Sequence, residues 1–314
     1  MKETFNNRFD DEIDLKEIFD LLFREKKIIM LITFFISVVG VVYSLLLPNI
    51  YQSTSILVPS GASSNISRSL QAYSGLASIA NMSIPVPGEN DDNSKKAQIK
   101  IQSLSFFEKN FLPNIFLPDL MAFRSWNPKS NSIEYNKRIY DQSSENWIRD
   151  YSYPKKSIPS SQESFEVFIE NHLSLNEDKK TGFITISIKH QSPFIAKKWN
   201  EILINEVNAY YRQKDKSESI DVVNYLNEQI LLTSFSEVKE AIAQLLQEET
   251  QKLALIEAKQ SYVFDFIDPP AVMEKKSEPI RAIICILFST IGVLFSIFFV
   301  IIKNYVFKKN LLKS

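Results

Sequence analysis

Two stretches without a charged residue constrain this chain more than anything else in it. Residues 28–47 read IIMLITFFISVVGVVYSLLL and residues 282–302 read AIICILFSTIGVLFSIFFVII. At about 1.5 Å of rise per residue, each is long enough to cross a hydrocarbon core of about 30 Å. A buried core helix is a poor alternative for uncharged runs of this length. A cleaved signal peptide fits the first run badly: it is too long, and LPNIYQS follows it with no small-x-small site. Both segments are therefore expected to be transmembrane helices.

The flanking charges orient them. Arg24, Lys26 and Lys27 precede the first span, and no basic residue follows it until Arg68. Lys303, Lys308, Lys309 and Lys313 follow the second, against Lys275, Lys276 and Arg281 before it. Basic residues stay on the cytoplasmic side, so residues 1–27 and 303–314 are expected to be cytoplasmic tails and residues 48–281 an external domain. Small residues share one face of each span: Gly40 and Ser44 in the first, Cys285, Ser289, Gly292 and Ser296 in the second. Such faces let backbones approach closely in lipid, which marks these six as candidates for helix association and oligomerisation.

Composition narrows the chemistry. A net charge of −1 with no basic block in the middle of the chain argues against nucleic acid as a partner. Only 6 of the 314 residues are glycine, which disfavours glycine-rich nucleotide loops. With Cys285 as the single cysteine there is no internal disulfide. No Walker-type loop, no G-x-S-x-G elbow, no H-E-x-x-H and no Cys/His cluster is present, so no catalytic, cofactor-binding or metal-binding residue is assigned.

Within the external domain, NIYQSTSILVP has the β-branched and aromatic content of a strand ended by Pro59. Residues 60–94 read as loop around a small helix (LQAYSGLASIA), and residues 97–112 as a helix. Residues 113–162 are rich in aromatics and turns. Their rings either stack on sugars or pack an irregular cap onto a sheet, and packing is favoured. FEVFIENHLSLNEDKKTGFITISIKHQSP is the clearest β signal: Ile184, Ile186 and Ile188 alternate with polar residues, and NEDKKTG suits a hairpin between two antiparallel strands. His172 and His190 have no ligand-spaced neighbours and are expected at the surface or at a strand edge.

From Pro193 the period becomes helical. Phe194, Trp199, Ile202, Leu203, Val207 and Tyr210, then Ile220, Val223, Leu226 and Ile230, fit one helix of about forty residues and ~60 Å. Its middle, RQKDKSES, has no apolar face and must project into water or lie against a charged neighbour. Ser234 with Glu237 fits a capping box opening a second amphipathic helix to about Gln260. The two helices form an antiparallel hairpin, residues 193–260, rising from a base of residues 48–192 and 261–273. SYVFDFID returns as a strand, and Pro269, Pro270 and Pro279 make residues 268–280 a stiff collar before the second span.

The order of these elements resembles the chain-length determinant family of bacterial polysaccharide co-polymerases, which set the length of lipopolysaccharide O-antigen. The resemblance is carried by EIDLKEIFDLLFREKK and LLLPNIYQSTSILVP around the first span, and by DKKTGFITISIKHQSPFIAKKWNEILINEVN. It continues through YLNEQILLTSFSEVKEAIAQLLQEETQKLALIEAKQSYVFDFIDPPAV and EPIRAIICIL. Nearly the whole chain is covered, most weakly between residues 60 and 160, and Met273 stands where a further collar proline is expected.

The resemblance implies an α+β membrane protein with two transmembrane helices flanking a periplasmic α/β base and a protruding helical hairpin. It implies a non-enzymatic homo-oligomer of the bacterial inner membrane, in contact with membrane lipid. Such an oligomer works beside the O-antigen polymerase and its undecaprenyl-diphosphate-linked polysaccharide, without a cofactor. The short segment after Ile302 leaves no room in this chain for the tyrosine kinase that some relatives carry, or for a sensor's output module. The alternatives are a membrane-anchored periplasmic adaptor or sensor subunit of another envelope complex, and a glycan-processing enzyme with paired carboxylates.

Overall fold

A computed structural model describes residues 15–60, 90–259 and 261–311. The small helix expected within residues 60–94 (LQAYSGLASIA) lies outside them. The chain divides into two compact units, one holding both apolar helices and the other spanning Ile50–Lys276.

In the first unit a short helix α1 (Leu15–Arg24) is followed by α2 (Lys26–Leu46), with Glu25 between them. α2 ends because Pro48 excludes helical backbone at the residue before it, and Leu47 is extended at φ −68°, ψ 135°. The second apolar helix, at the far end of the chain, covers Arg281–Leu311. Both are long and apolar enough to span a membrane. The expected spans, 28–47 and 282–302, thus lie almost entirely within longer helices.

The second unit is built on strand β1 (Tyr51–Pro59). After it come α3 (Asn90–Ile101) and two small hairpins, β2 (Phe123–Asn127) with β3 (Ser132–Tyr135), and β4 (Tyr140–Asp141) with β5 (Asn146–Trp147). Next are α4 (Ser161–Asn171), β6 (Leu173–Glu177) and β7 (Ile184–His190). The long helix α5 (Pro193–Leu232), α6 (Ser236–Ala258) and β8 (Phe264–Asp268) complete it, before α7 (Arg281–Leu311) of the first unit.

The sheet is wholly antiparallel in the order β6-β7-β1-β8. Its register sets Tyr51 opposite His190, Ser55 opposite Ile186 and Leu57 opposite Ile184. Alternation along β7 turns Ile184, Ile186 and Ile188 into the core, where all three are fully buried. The first two turns of α5 and those after them cover this face with Ile195, Ala196, Trp199, Leu203, Ile204 and Val207. Phe106, Phe107, Phe111 and Phe168 close the core around Trp199, at ring separations of 6.3 Å from Phe111 and 6.2 Å from Phe168. Burying each such ring contributes about 1.5–3 kcal/mol.

Three expectations are corrected here. Residues 97–112 are not one helix: Gln102 and Ser103 interrupt it, with Ser103 extended at φ −101°, ψ 139° and capping the turn that follows. The FEVFIEN half of the expected β segment is helix α4. A complete capping box fixes its start, in which Ser160 accepts from the Glu163 amide and the Glu163 carboxylate accepts from the Ser160 amide. The strands thus begin only at Leu173, and the hairpin expected over NEDKKTG joins β6 to β7.

The histidines are the third correction. The correction concerns His190, which belongs to the core at 3% exposure because β7 turns its C-terminal residue inward beneath Phe123 and Trp199. His172 is only half-buried, just before the edge strand β6. The two imidazoles stack, with centroids 5.6 Å apart.

Candidate functional site

The six small residues of the spans line a seam between α2 and α7. Gly40 and Ser44 are buried on α2, and Gly292 and Ser296 on α7. A methyl group built at Gly40 would stand 2.5 Å from Phe288 Cβ, so the helices approach too closely there for any side chain. Gly292 faces Ile36 and the Thr33 backbone with slightly more room, at 3.3 and 3.4 Å. Hydroxyls bridge the same seam: Ser37 with Ser289 at 3.0 Å and Thr33 with Ser296 at 3.4 Å. Ser289 also donates to the Cys285 carbonyl at 2.8 Å, which satisfies its proton within the helix.

Polar contacts close both ends of the pair. Lys303 meets Glu25 at 3.7 Å, and Arg281 donates to Asn49 at 3.2 Å. The faces of Phe34, Phe35, Leu294 and Phe298 point away from the seam and are exposed. Gly40, Gly292, Ser289 and Ser296 thus lie where the two apolar helices of one chain meet.

In the helical hairpin, α5 runs for 40 residues and α6 for 23, joined by Thr233, Ser234 and Phe235. One side of the polar middle of α5 lies against charged and polar partners, while Gln213, Lys214, Ser217 and Glu218 are exposed. Lys216 pairs with Glu257, Tyr262 donates to Asp215 at 2.5 Å, and Arg212 donates to the Lys259 carbonyl at 3.3 Å.

The expected capping box at Ser234 and Glu237 is not formed. The residue that caps α6 is Phe235, which is extended and has no side-chain acceptor. That one-residue shift puts Val238 where the glutamate of a box would stand, leaving Glu237 as an acidic group in the first turn. Ser234 stays in the connection.

Of the collar prolines, Pro269 is exposed just past β8, Pro270 is buried, and Pro279 is partly buried two residues before α7. Ser53 on β1 donates to the Ala271 carbonyl at 2.9 Å, tying the start of the collar to the sheet.

Three features escaped the sequence reading. Asn200 and Asn208 sit inside the apolar stripe of α5 and are buried. Asn200 donates to the Ser53 and Ile186 carbonyls at 2.9 and 3.2 Å and accepts from Ser55 at 2.8 Å, which pins the helix to β1 and β7. Asn208 accepts from the Val263 and Phe264 amides and donates to the Phe264 carbonyl, holding the returning strand. The available signal was an asparagine at i and i+8 within a helix face otherwise apolar. Its meaning depends on which backbone groups lie opposite, and those come from distant segments.

The third is a clasp beneath residues 149–157. Arg149 grips both oxygens of Glu163, at 3.1 and 2.8 Å, and also donates to the Ser157 and Lys156 carbonyls. Arg149 holds the Glu163 carboxyl down at about 2, against the smaller upward push of burial.

Elsewhere burial dominates the electrostatics. His190 is pushed down to about 3 by desolvation and then by His172, and His172 is lowered by desolvation. Their tautomers follow from their partners. His172 Nδ1 donates to the Lys189 carbonyl, whereas His190 Nδ1 accepts from the Ser192 amide, leaving its Nε2 to donate to the Asp119 carbonyl. Burial raises the Asp119 carboxyl, although Tyr135 donates to it at 2.6 Å and Lys198 also opposes the rise.

The aromatics of residues 113–162 separate into two sets. Tyr135, Tyr140 and Trp147 pack on one another, and Trp126 packs on Tyr51 and Phe194. Tyr151 and Tyr153 remain exposed. Among the described residues, no three His, Cys, Asp or Glu side chains come together as a metal site.

Two apolar helices flanking a mixed α/β body with a long helical hairpin define the class: a membrane-anchored α+β protein. Within that class, residues 11–108 match the model of the family described as Wzz, chain length determinant protein. This is the family whose resemblance the sequence carries. Two solved structures are similar. A full-length bacterial polysaccharide co-polymerase shares 13% identity over 95% of this chain and 99% of its own, at a TM-score of 0.42. A fragment of WzzB, the polysaccharide co-polymerase from Salmonella Typhimurium, shares 13% identity over 73% of this chain and 100% of its own, at 0.30. No curated protein matches the chain.

Proposed function

We propose that this protein regulates the modal chain length of lipopolysaccharide O-antigen or a related surface polysaccharide. In this reading it acts without catalysing a reaction, as an inner-membrane homo-oligomer beside the O-antigen polymerase and its undecaprenyl-diphosphate-linked glycan. Both termini are cytoplasmic and the body is periplasmic. The observation that carries the reading is the family match over residues 11–108, which includes the first span and β1. The exposed faces of the spans are then available for neighbouring subunits and lipid, and the collar prolines Pro269, Pro270 and Pro279 limit motion between body and anchor.

The test is a chain with Leu245→Pro, a half-exposed position in the middle of α6. Proline removes a helix hydrogen bond and clashes with the preceding turn, costing about 3 kcal/mol in α6 without emptying the core. Polymer should still be made, with its modal distribution lost on a glycan gel. Complete absence of polymer would point instead to an enzyme or an obligatory polymerase subunit.

A further inference from the structure

We propose that residues 148–158 dock on the headgroup region of the phospholipid bilayer. This rests on the reading of α2 and α7 as membrane spans. The segment combines two properties seldom found together in a loop. Its base is over-determined: the Arg149 guanidinium spends four hydrogen bonds on Glu163, Ser157 and Lys156, and Ser157 Oγ donates to the Trp147 carbonyl at 2.7 Å. Its rim exposes large apolar and aromatic side chains, with Tyr153 at 97%, Tyr151 at 60%, Ile158 at 60% and Ile148 at 52%.

The neighbouring aromatics show what the fold does with a ring it can bury. Tyr140 is 4% exposed against Trp147, Tyr135 and Phe116. Tyr151 and Tyr153 are held out of that packing by a loop whose ends are fixed.

The rim chemistry selects the occupant. Tyrosine rings with a polar tip prefer the boundary between headgroups and acyl chains. Isoleucines contribute burial there, whereas they have little to offer a hydroxyl-covered sugar. Lys155 and Lys156 are both exposed beside the tyrosines, and a lysine stem lies along an apolar boundary while its ammonium reaches lipid phosphate. Lys155 also reaches Glu163 at 3.4 Å, so Lys156 is the residue with the greater freedom to meet phosphate. In this reading the second unit is tethered to a bilayer at both of its ends: β1 begins shortly after α2, and the unit ending at Lys276 leads within a few residues into α7.

The experiment is amide hydrogen exchange of the full chain in three settings: amphipol, phosphatidylcholine nanodiscs, and phosphatidylethanolamine–phosphatidylglycerol nanodiscs. Docking predicts slower exchange across 148–158 in both kinds of disc than in amphipol. The slowing should be roughly fivefold greater in the anionic discs, the effect of one lysine at an anionic surface. Tyr151→Ser with Tyr153→Ser should abolish the slowing while leaving exchange in the β6–β7 hairpin unchanged. Arg149→Met, which frees the loop but keeps its rim, should weaken it. Equal exchange in amphipol and discs overturns the proposal. So does slowing that appears only when purified glycan is added, which would make the rim a sugar contact. Loss of polymer-length control in vivo with disc protection intact would overturn the chain-length reading and leave the docking in place.

Discussion

Gly40 lies so close to Phe288 that a Cβ at position 40 would stand 2.5 Å from the phenylalanine's own Cβ. Phe288 Cβ is fixed to its backbone and cannot swing aside, so any substitution at Gly40 must separate the spans. Gly40→Ala should destabilise the span pair by roughly 1–3 kcal/mol, the usual cost of overpacking. Gly292→Ala, with its nearest neighbour at 3.3 Å, should be milder. Thermal midpoints in detergent and intrachain crosslinking of cysteines placed at Ser37 and Ser289 check the order, in a Cys285→Ser background. Equal effects at the two glycines would contradict the seam.

The buried imidazoles predict acid sensitivity. Both folded-state values lie below the ordinary histidine value of 6.5, His190 at about 3. The unfolded chain therefore takes up protons that the folded one refuses. The stability they contribute is fully present above about pH 6.5 and is lost as pH falls through the window down to about 3. Glu163, at about 2 when folded, adds to the loss only below its ordinary value of 4.5, while the raised Asp119 carboxyl works in the opposite direction above 3.8. Between pH 6.5 and 4.5 the slope from His190 should approach about 1.4 kcal/mol per pH unit, with His172 adding in the same direction. Urea unfolding at pH 7 and pH 5 measures it, and the His190→Gln chain should show a shallower slope.

Asn200 should be among the costliest polar residues to lose. Asn200→Ala leaves the Ser53 and Ile186 carbonyls and the Ser55 hydroxyl without their partner in the core. About 2–4 kcal/mol of destabilisation is expected. Adding Ser55→Ala to that chain should cost less than Ser55→Ala alone, because the hydroxyl has already lost its acceptor. A fully additive double mutant would argue against the bond.

Removing the clasp should be felt locally. Arg149→Met abandons a bidentate pair with a carboxylate that is only 15% exposed. The loss should be about 2 kcal/mol, since hydrogen bonds to charged groups each contribute about 1.5–3 kcal/mol. Proteolysis between residues 149 and 158 should accelerate while the β6–β7 hairpin stays protected. An unchanged cleavage rate would show the loop to be held by something else.

Elements governed by their own periodicity were legible in the sequence. The uncharged runs dictate helices long enough to span a bilayer, alternation at Ile184, Ile186 and Ile188 dictates β7, and the apolar stripe from Trp199 to Ile230 dictates α5. Each signal is complete within one segment, because side-chain period and backbone period coincide there. What tertiary structure alone decided involves groups far apart in the chain. Asn200 and Asn208 gain meaning only from carbonyls and amides on β1, β7 and β8. His172 and His190 read as surface or strand-edge residues, and only the sheet brings them 5.6 Å apart, with His190 buried against Trp199. The small faces of the spans were visible, but not that each would find its partner in the other span of the same chain. Complementarity across 252 residues, as between Ser37 and Ser289, leaves no local pattern, because it arises only when packing brings two surfaces together.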